Sequence, residues 1–232
     1  GDYDGHVVGA LGLGGVMGEA GGAALVFSST AGVYGDARDL SASEDSPRES
    51  ASVYGRTRRV VEDFLRDLSR ANANWRIAIG REFNAAGAHS SAMMGEAPRG
   101  RSTHLIAQLC RVAAGEASEL IVNGDDWDTA DGTGVRDYVH VQDLAEGFVR
   151  ALRHVAAKPG LLTVNFGTGK AHSVLGVLAA FERACGRSIP RVMGARRQGD
   201  VAESGAEVAR NAELPDCNPT RDNETNGAEE KR

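Results

Sequence analysis

Apolar positions recur along this chain with two different periods, and the two alternate. Leu25, Val26 and Phe27 form a short continuous apolar run that ends in Ser28, Ser29 and Thr30. A run this short, closed by hydroxyl residues, predicts a buried strand. Between 52 and 70, Val53, Val60, Val61, Phe64, Leu65 and Leu68 fall at helical spacing with Arg and Asp between them. That pattern predicts an amphipathic helix. Strand-like runs follow at 75–79, 119–122 and 162–166, and helical ones at 105–114, 144–155 and 174–184. Asp143 stands where a carboxylate would cap the helix at 144–155, and Gly186 where a glycine would close the last helix. Strand then helix, repeated, predicts an α/β fold with a largely parallel sheet.

Composition narrows the classes. A length of 232 residues fits one to two domains at about 150 residues each. Apolar residues at 41% and charged ones at 25% describe an ordinary folded chain. A net charge of −6, with no basic stripe, argues against a general nucleic-acid binder. No run approaches the ~20 apolar residues of a membrane span, and the polar, acidic first residues do not resemble a signal peptide. Cys110, Cys185 and Cys217 are odd in number and far apart, which fits neither a disulfide framework nor a zinc knuckle. A reducing, cytoplasmic setting is expected. Residues 198–232 hold nine acidic and four basic side chains, so this end carries −5 of the net −6. Residues 205–232 are expected to form a disordered acidic tail.

Two segments carry chemistry. In the first, Tyr54 and Arg58 stand four apart on the predicted helix, so they share a face. A phenol titrating near ~10 is a poor base at neutral pH, and a fixed cation one turn away favours its ionised form. A strand-end hydroxyl such as Thr30 could hold a substrate oxygen against that Tyr, which suits proton transfer in an alcohol/ketone interconversion. A plain surface helix is the alternative. The second segment is the Asp/Gly-rich stretch at 124–134, followed by Arg136. An Arg held by a structured loop can pair with a phosphate, or it can simply be solvated. The Asp spacing fails the calcium-loop pattern. His140 reads as a core or hydrogen-bonding histidine, with a base or ligand as the alternative.

Together these residues resemble the UDP-glucose 4-epimerase family of the extended short-chain dehydrogenase/reductase superfamily. The likeness runs over residues 6–204. It rests on Leu-Val-Phe-Ser-Ser-Thr-Ala-Gly-Val-Tyr-Gly-Asp at 25–36, Tyr-Gly-Arg-Thr-Arg at 54–58, Phe-Asn at 83–84, Gly-Thr-Gly-Val-Arg-Asp-Tyr-Val-His-Val at 132–141, Asn-Phe-Gly-Thr-Gly at 165–169 and Arg-Arg-Gln-Gly-Asp at 196–200. The resemblance implies a partial Rossmann-like parallel sheet, residues 1–90 interleaved with 134–170, and a small C-terminal substrate-binding region at 91–133 and 171–204. It implies NAD as cofactor, a UDP-hexose as substrate, interconversion of UDP-glucose and UDP-galactose through C4 oxidation and re-reduction, and a possible homodimer through 6–20 and 52–70.

By position, Tyr54 is the expected acid/base, Thr30 its hydroxyl partner and Arg58 the cation, where the family has Lys. Ser28, Ser29, Tyr54, Arg58 and Phe83 are the expected cofactor contacts. Asn84, His104, Leu105, Ile121, Val122, Arg136, Arg197 and Asp200 are the expected substrate contacts, with the two arginines on the diphosphate. Several positions depart from the family pattern. Glu82 stands where an aromatic usually precedes Phe-Asn, and Gly32 replaces a usual Thr. The family's opening strand and glycine turn are expected to lie before this chain begins. The Gly-rich run at 12–18 is expected in the helix ahead of the catalytic strand, so the isolated chain is expected to carry no NAD. The pair Ala31-Gly32 after Thr30 disfavours the related dehydratases, which have Asp-Glu there. A non-catalytic UDP-sugar-binding remnant is the remaining alternative.

Overall fold

The computed structural model describes residues 1–21, 24–36, 41–96, 100, 102–214 and 221. In chain order its strands are β1 (Ala24–Thr30), β2 (Arg76–Glu82), β3 (Asn84–Ala86), β4 (Leu120–Asn123), β5 (Val135–His140), β6 (Gly160–Phe166), β7 (Ala171–Ser173), β8 (Arg191–Gly194) and β9 (Glu203–Ser204). Its helices are α1 (Gly9–Glu19), which continues a π-helical turn at Tyr3–Val8, then α2 (Val53–Ala71), α3 (Leu105–Ala113), α4 (Val141–Ala157) and α5 (Val174–Cys185).

The central sheet is parallel, in the order β1-β2-β6. Its register aligns Thr30, Glu82 and Phe166 across the three strands, so the carboxyl ends of the strands finish level and open a crevice there. One face packs Leu25, Phe27, Ile77 and Ile79 against Val61 and Leu65 of α2. The other packs Ala78 and Val164 against Leu144, Ala151 and Val155 of α4. A second unit sits over the carboxyl ends. There β4 pairs with β8, and α3 and α5 close a core of Leu109, Leu120, Leu178 and Ile189. Strand β5 links the two units by pairing with β3, β7 and β9.

Local signals set the boundaries. Ser52 caps α2 by accepting from the Gly55 amide at 3.0 Å, and Ser173 caps α5 by accepting from the Gly176 amide at 3.0 Å. Gly186 closes α5 in the left-handed region at φ 69°, as expected. Helix α4 starts earlier than its apolar spacing predicts. His140, not Asp143, is its cap, with Nδ1 accepting from the Gln142 amide at 3.1 Å. Asp143 lies in the first turn and accepts from the Arg221 amide at 3.0 Å. Strands of two to four residues, such as β3, β7, β8 and β9, are too short to show a period in the sequence.

Two further expectations can be placed. The glycine run at 12–18 is helical, within α1, and is no turn after a strand. A Cβ on Gly14 would lie 2.7 Å from the Phe64 ring, so this helix uses a glycine to sit close to α2. The acidic end is ordered further than expected. Residues Ala209–Glu213 form a 3-10 helix, and Ala206, Asn211 and Leu214 are buried. Leu214 joins the core under α4, which gives this part of the tail a reason to fold. Residues 215–220 and 222–232 of the expected tail lie outside the described residues.

Candidate active site

A cleft of about 550 Å³ opens where the central sheet meets the second unit. Tyr54, Ser29, Thr30, Phe83, Asn84, His104, Leu105, Ile121, Val122, Arg136, Arg197 and Asp200 all line it. Residues from seven stretches of the sequence therefore converge on one volume. Ser28 and Arg58 are not in its lining.

The floor is built by close approach. Thr30 ends β1 and its Oγ1 accepts from the Gly32 amide at 3.1 Å, capping the short 3-10 turn Ala31–Val33. Having accepted, the hydroxyl keeps its hydrogen to donate to a ligand oxygen. The first turn of α2 lies against that 3-10 turn. A Cβ on Gly55 would come within 2.3 Å of the Gly32 carbonyl oxygen and 2.1 Å of Ser50 Oγ, so only glycine permits this contact. It sets the neighbouring Tyr54 in the lining of the same cleft as Thr30. Tyr54 is 42% exposed there, with the edge of the His6 ring 5.6 Å away, centroid to centroid.

Arg58 stands one turn along α2 behind the phenol. Its Cζ lies 5.1 Å from the centre of the Tyr54 ring and 5.6 Å from that of Phe27. The guanidinium is thus held between two aromatic faces by cation–π attraction, and its buried Nε has no hydrogen-bond partner. Ser28 turns to the opposite face of the sheet and donates to Glu82 Oε1. Burial pushes the Glu82 carboxyl above the usual carboxylate range, against the Ser28 hydrogen bond and the Arg58 charge, which pull it down.

Behind the floor lies a second cluster that sequence reading did not anticipate. Arg81 and Glu62 are almost fully buried, at 1% and 0% exposure. Arg81 Nε and Nη2 donate to the two Glu62 oxygens at 3.0 and 2.7 Å, and Nη1 donates to Tyr34 Oη and to the Glu44 carbonyl, both at 2.9 Å. Tyr34 donates to Asn165 Oδ1 at 2.6 Å, and Ser29 donates to Glu62 Oε1 at 2.7 Å. Ser29 therefore meets the cleft only after spending its hydroxyl on this network. Burial pushes the Tyr34 phenol up to about 12 despite the neighbouring Arg81. The signal for this cluster was a Glu and an Arg at otherwise apolar-facing positions of α2 and β2, which single-sequence periodicity treats as noise.

The opposite wall carries the arginines. Arg136 donates to the carbonyls of Val135, Ala202 and Val201 at 2.8, 3.2 and 2.7 Å, which fixes its fork against the segment leading into β9. Arg197 donates to the Thr103 carbonyl at 3.3 Å, and with the Asn123 amide turned so that its oxygen faces the guanidinium, that oxygen accepts from Nη2 and Nε at 2.9 and 3.2 Å. His104 lies at the start of α3 with Nδ1 3.1 Å from Glu96 Oε2. Asp137, next to Arg136, is fully buried and accepts from the Thr168 amide and hydroxyl and from the Gly169 amide at 2.9, 2.7 and 2.8 Å. It locks the Gly-Thr-Gly turn after β6 onto β5. In the Asp-rich loop, Asp131 is likewise taken up internally, accepting from Thr133 Oγ1 at 2.7 Å and Ser173 Oγ at 2.5 Å.

The model of the NAD dependent epimerase/dehydratase family matches residues 2–167. The chain belongs to this family. Its fold is that of solved family members. It superposes at a TM-score of 0.94 on the UDP-glucose 4-epimerase of Stenotrophomonas maltophila, solved with NAD and formylated UDP-arabinopyranose, at 40% identity over 99% of this chain and 68% of that one. The UDP-glucose 4-epimerase of Bifidobacterium longum, solved with NAD+ and UDP, gives 0.94 at 38% identity over the same shares. Among curated relatives, a UDP-glucose 4-epimerase of Cyamopsis tetragonoloba is 46% identical over 200 residues, and that of Neisseria meningitidis serogroup B 44% over 201. The chain spans 57% and 59% of the length of these two relatives. Among the described residues no helix is long and apolar enough to cross a membrane.

Proposed function

We propose that this chain carries the acid/base and UDP-sugar-binding residues of a UDP-hexose 4-epimerase acting between UDP-glucose and UDP-galactose in the cytoplasm. The observation that carries the reading is the convergence of Tyr54 and Thr30 with Arg136, Arg197 and Asp200 on one cleft. NAD, when bound, supplies the acceptor and donor of the C4 hydride. The residues present suit its nicotinamide–ribose end. Tyr54 and Phe83 line the cleft, and Arg58, stacked on the Tyr54 ring, has a buried Nε without a hydrogen-bond partner.

Each residue then has a task. Tyr54 takes the proton of the sugar C4 hydroxyl as the C4–H bond breaks, and gives a proton back to the C4 oxygen when the ketone is reduced on its other face. The Arg58 guanidinium stacks behind the ring and holds the phenol in place by cation–π attraction. Thr30 donates its remaining hydrogen to the same sugar oxygen. Arg136 and Arg197 pair with the diphosphate, Asp200 accepts from the uridine ribose, and Ile121 and Val122 flank the base. Asn84, His104 and Leu105 border the hexose. The turn after Thr30 holds Ala31, Gly32 and Val33, so it offers no acid for the elimination of water. The outer faces of α1 and α2 expose Leu11, Leu13, Val16, Val53 and Val60, and a homodimer through these helices is part of the proposal.

Calorimetry with UDP tests the site directly. The chain is expected to bind UDP, and Arg136→Ala or Arg197→Ala is expected to weaken it about tenfold or more, the loss of one charge-assisted hydrogen bond of about 1.5–3 kcal/mol. No heat with UDP, or binding by both variants as tight as that of the unaltered chain, would remove the reading.

A further inference from the structure

Trp127 is a large aromatic side chain in the cleft to which the proposed reaction gives no task. It lines the volume together with Ile121, Val122 and Asn123 at the end of β4 and with Arg197. Its ring is held from behind. Arg196 Cζ lies 4.0 Å from the ring centre, within the range of cation–π attraction, and Arg196 Nε donates to Asp126 Oδ1 at 2.7 Å. Arg196 is absent from the lining that Trp127 joins, so the guanidinium backs the ring and the ring meets the cleft. The backbone is shaped for this stack. A Cβ on Gly124, at φ 85°, would lie 2.5 Å from Trp127 Nε1 and 2.9 Å from Arg196 Cγ, so only glycine leaves room for it. The Trp127 amide donates to the Gly132 carbonyl and the Thr129 amide to the Trp127 carbonyl, each at 2.9 Å. The Asp/Gly-rich loop is thus folded on itself around one presented indole. The next arginine goes the other way: Arg197 joins the cleft lining and is gripped by the turned Asn123 amide. One short segment therefore supplies a cation to the cleft and a backing to Trp127.

We propose that Trp127, backed by Arg196, is the wall against which the flat base of the bound nucleotide stacks. The inference rests on the reading of the cleft as a UDP-sugar site and adds a binding residue to it. An indole and a nucleobase each present a π-face, and packing one on the other removes both from water. The placement suits such a ligand. In UDP only the ribose separates base from diphosphate, and here Trp127 and the diphosphate cation Arg197 are both fastened to the end of β4, one through Gly124 and the other through Asn123. Ile121, 46% exposed, adds an aliphatic edge from the same strand. Because Arg196 and Asp126 fix the ring before the ligand arrives, little side-chain freedom is lost on binding. The contact is the same whichever face of the sugar is being oxidised or reduced, so it strengthens binding and leaves the chemical step alone.

The test reads the indole itself and needs no turnover. The chain holds two tryptophans, and Trp75 is buried at 3% exposure in the core against α2, outside the cleft lining. UDP is expected to quench the tryptophan emission of the unaltered chain. Trp127→Phe, which leaves Trp75 as the one emitter, is expected to abolish that quenching. In calorimetry Trp127→Leu, apolar but without a ring, is expected to bind UDP about tenfold more weakly, the size of one lost base–aromatic stack. Trp127→Phe is expected to recover most of that loss, which a role confined to filling the loop would not produce, since Leu fills it too. Emission unchanged at saturating UDP, Trp127→Leu binding as tightly as the unaltered chain, or Trp127→Phe binding as weakly as Trp127→Leu would each overturn the proposal. The unaltered chain separates this inference from the reading beneath it. If it binds UDP while any of those three results is found, Trp127 loses its role and the UDP site stands. If it binds no UDP at all, the site and Trp127 fall together.

Discussion

This molecule uses the same three residue types twice, alike in chemistry but opposite in physics. Arg81, Tyr34 and Glu62 form one set, and Arg58, Tyr54 and Glu82 the other. In the first, the guanidinium and carboxylate meet bidentately, the phenol is bonded on both sides, and the group is sealed from water. In the second, the guanidinium stacks on the phenol ring and leaves Nε unpartnered, while the phenol is 42% exposed. Strand alternation produces the contrast. Ser29 and Arg81 face α2 and its Glu62, whereas Ser28 and Glu82 face the other side. A satisfied triad fixes structure, because every polar group has spent its bonding capacity. An unsatisfied one retains free valence, and that is what a substrate can use. The buried set is the scaffold that holds the working set in place, since Glu62 and Tyr54 ride on the same helix.

Removing the carboxylate from each set should expose the difference most sharply. Glu62→Ala leaves Arg81 buried without its partner and strips acceptors from Ser29 and Arg48. A loss of about 3–5 kcal/mol in urea unfolding is expected, and a loss under about 1 kcal/mol would show the cluster to be dispensable. A smaller effect follows from the two buried phenols. Tyr34 and Tyr138 are both raised from 10 to about 12 in the fold, chiefly by burial. A folded-state value above the unfolded one means that the protonated phenol favours the fold. That contribution is complete below pH 10 and disappears as pH climbs from about 10 to 12, on the order of 2–3 kcal/mol per phenol. Stability measured against pH should fall across that window, and Tyr34→Phe should remove its share of the fall. A flat alkaline limb would contradict the burial argument.

The smallest effect follows the same linkage, in a carboxyl. The Glu82 carboxyl is raised by burial, so its neutral form favours the fold and its ionised form opposes it. Its contribution is present in acid and lost as pH rises through the folded value. Glu82→Gln should therefore raise the melting temperature slightly at neutral pH and leave it unchanged in acid. A lower melting temperature for the variant at neutral pH would place Glu82 with the scaffold and not with the working set.

How far the sequence revealed these features depends on the range of the physics involved. The strand at 24–30 and the helix at 53–71 were legible because their periods are local. The Tyr54/Arg58 spacing was legible because two residues one turn apart share a face whatever surrounds them. The Gly-Thr-Gly-Val-Arg-Asp run at 132–137 was recognisable as a motif. The inward role of its Asp137 was not, since its partners Thr168 and Gly169 lie some thirty residues later. The cap of α4 was misplaced by three residues, because a His can accept from an amide as a carboxylate does. The order at 205–214 was hidden, because a short segment whose buried apolar residues, Ala206 and Leu214, stand far apart folds only where a core is waiting for it.

By itself the amino-acid order determined the alternation of strand and helix, the helical face that pairs a phenol with a guanidinium, and the family likeness those motifs carry. Periodicity, capping and spacing act within a few residues, and each leaves its mark in the string. Only the tertiary structure decided which Arg–Tyr–Glu set is sealed and which is open. That choice turns on which side of one sheet each strand residue faces and on how closely Gly55 lets α2 approach the turn after β1. Burial and the desolvation it brings depend on neighbours far apart in the chain, and no local pattern encodes them.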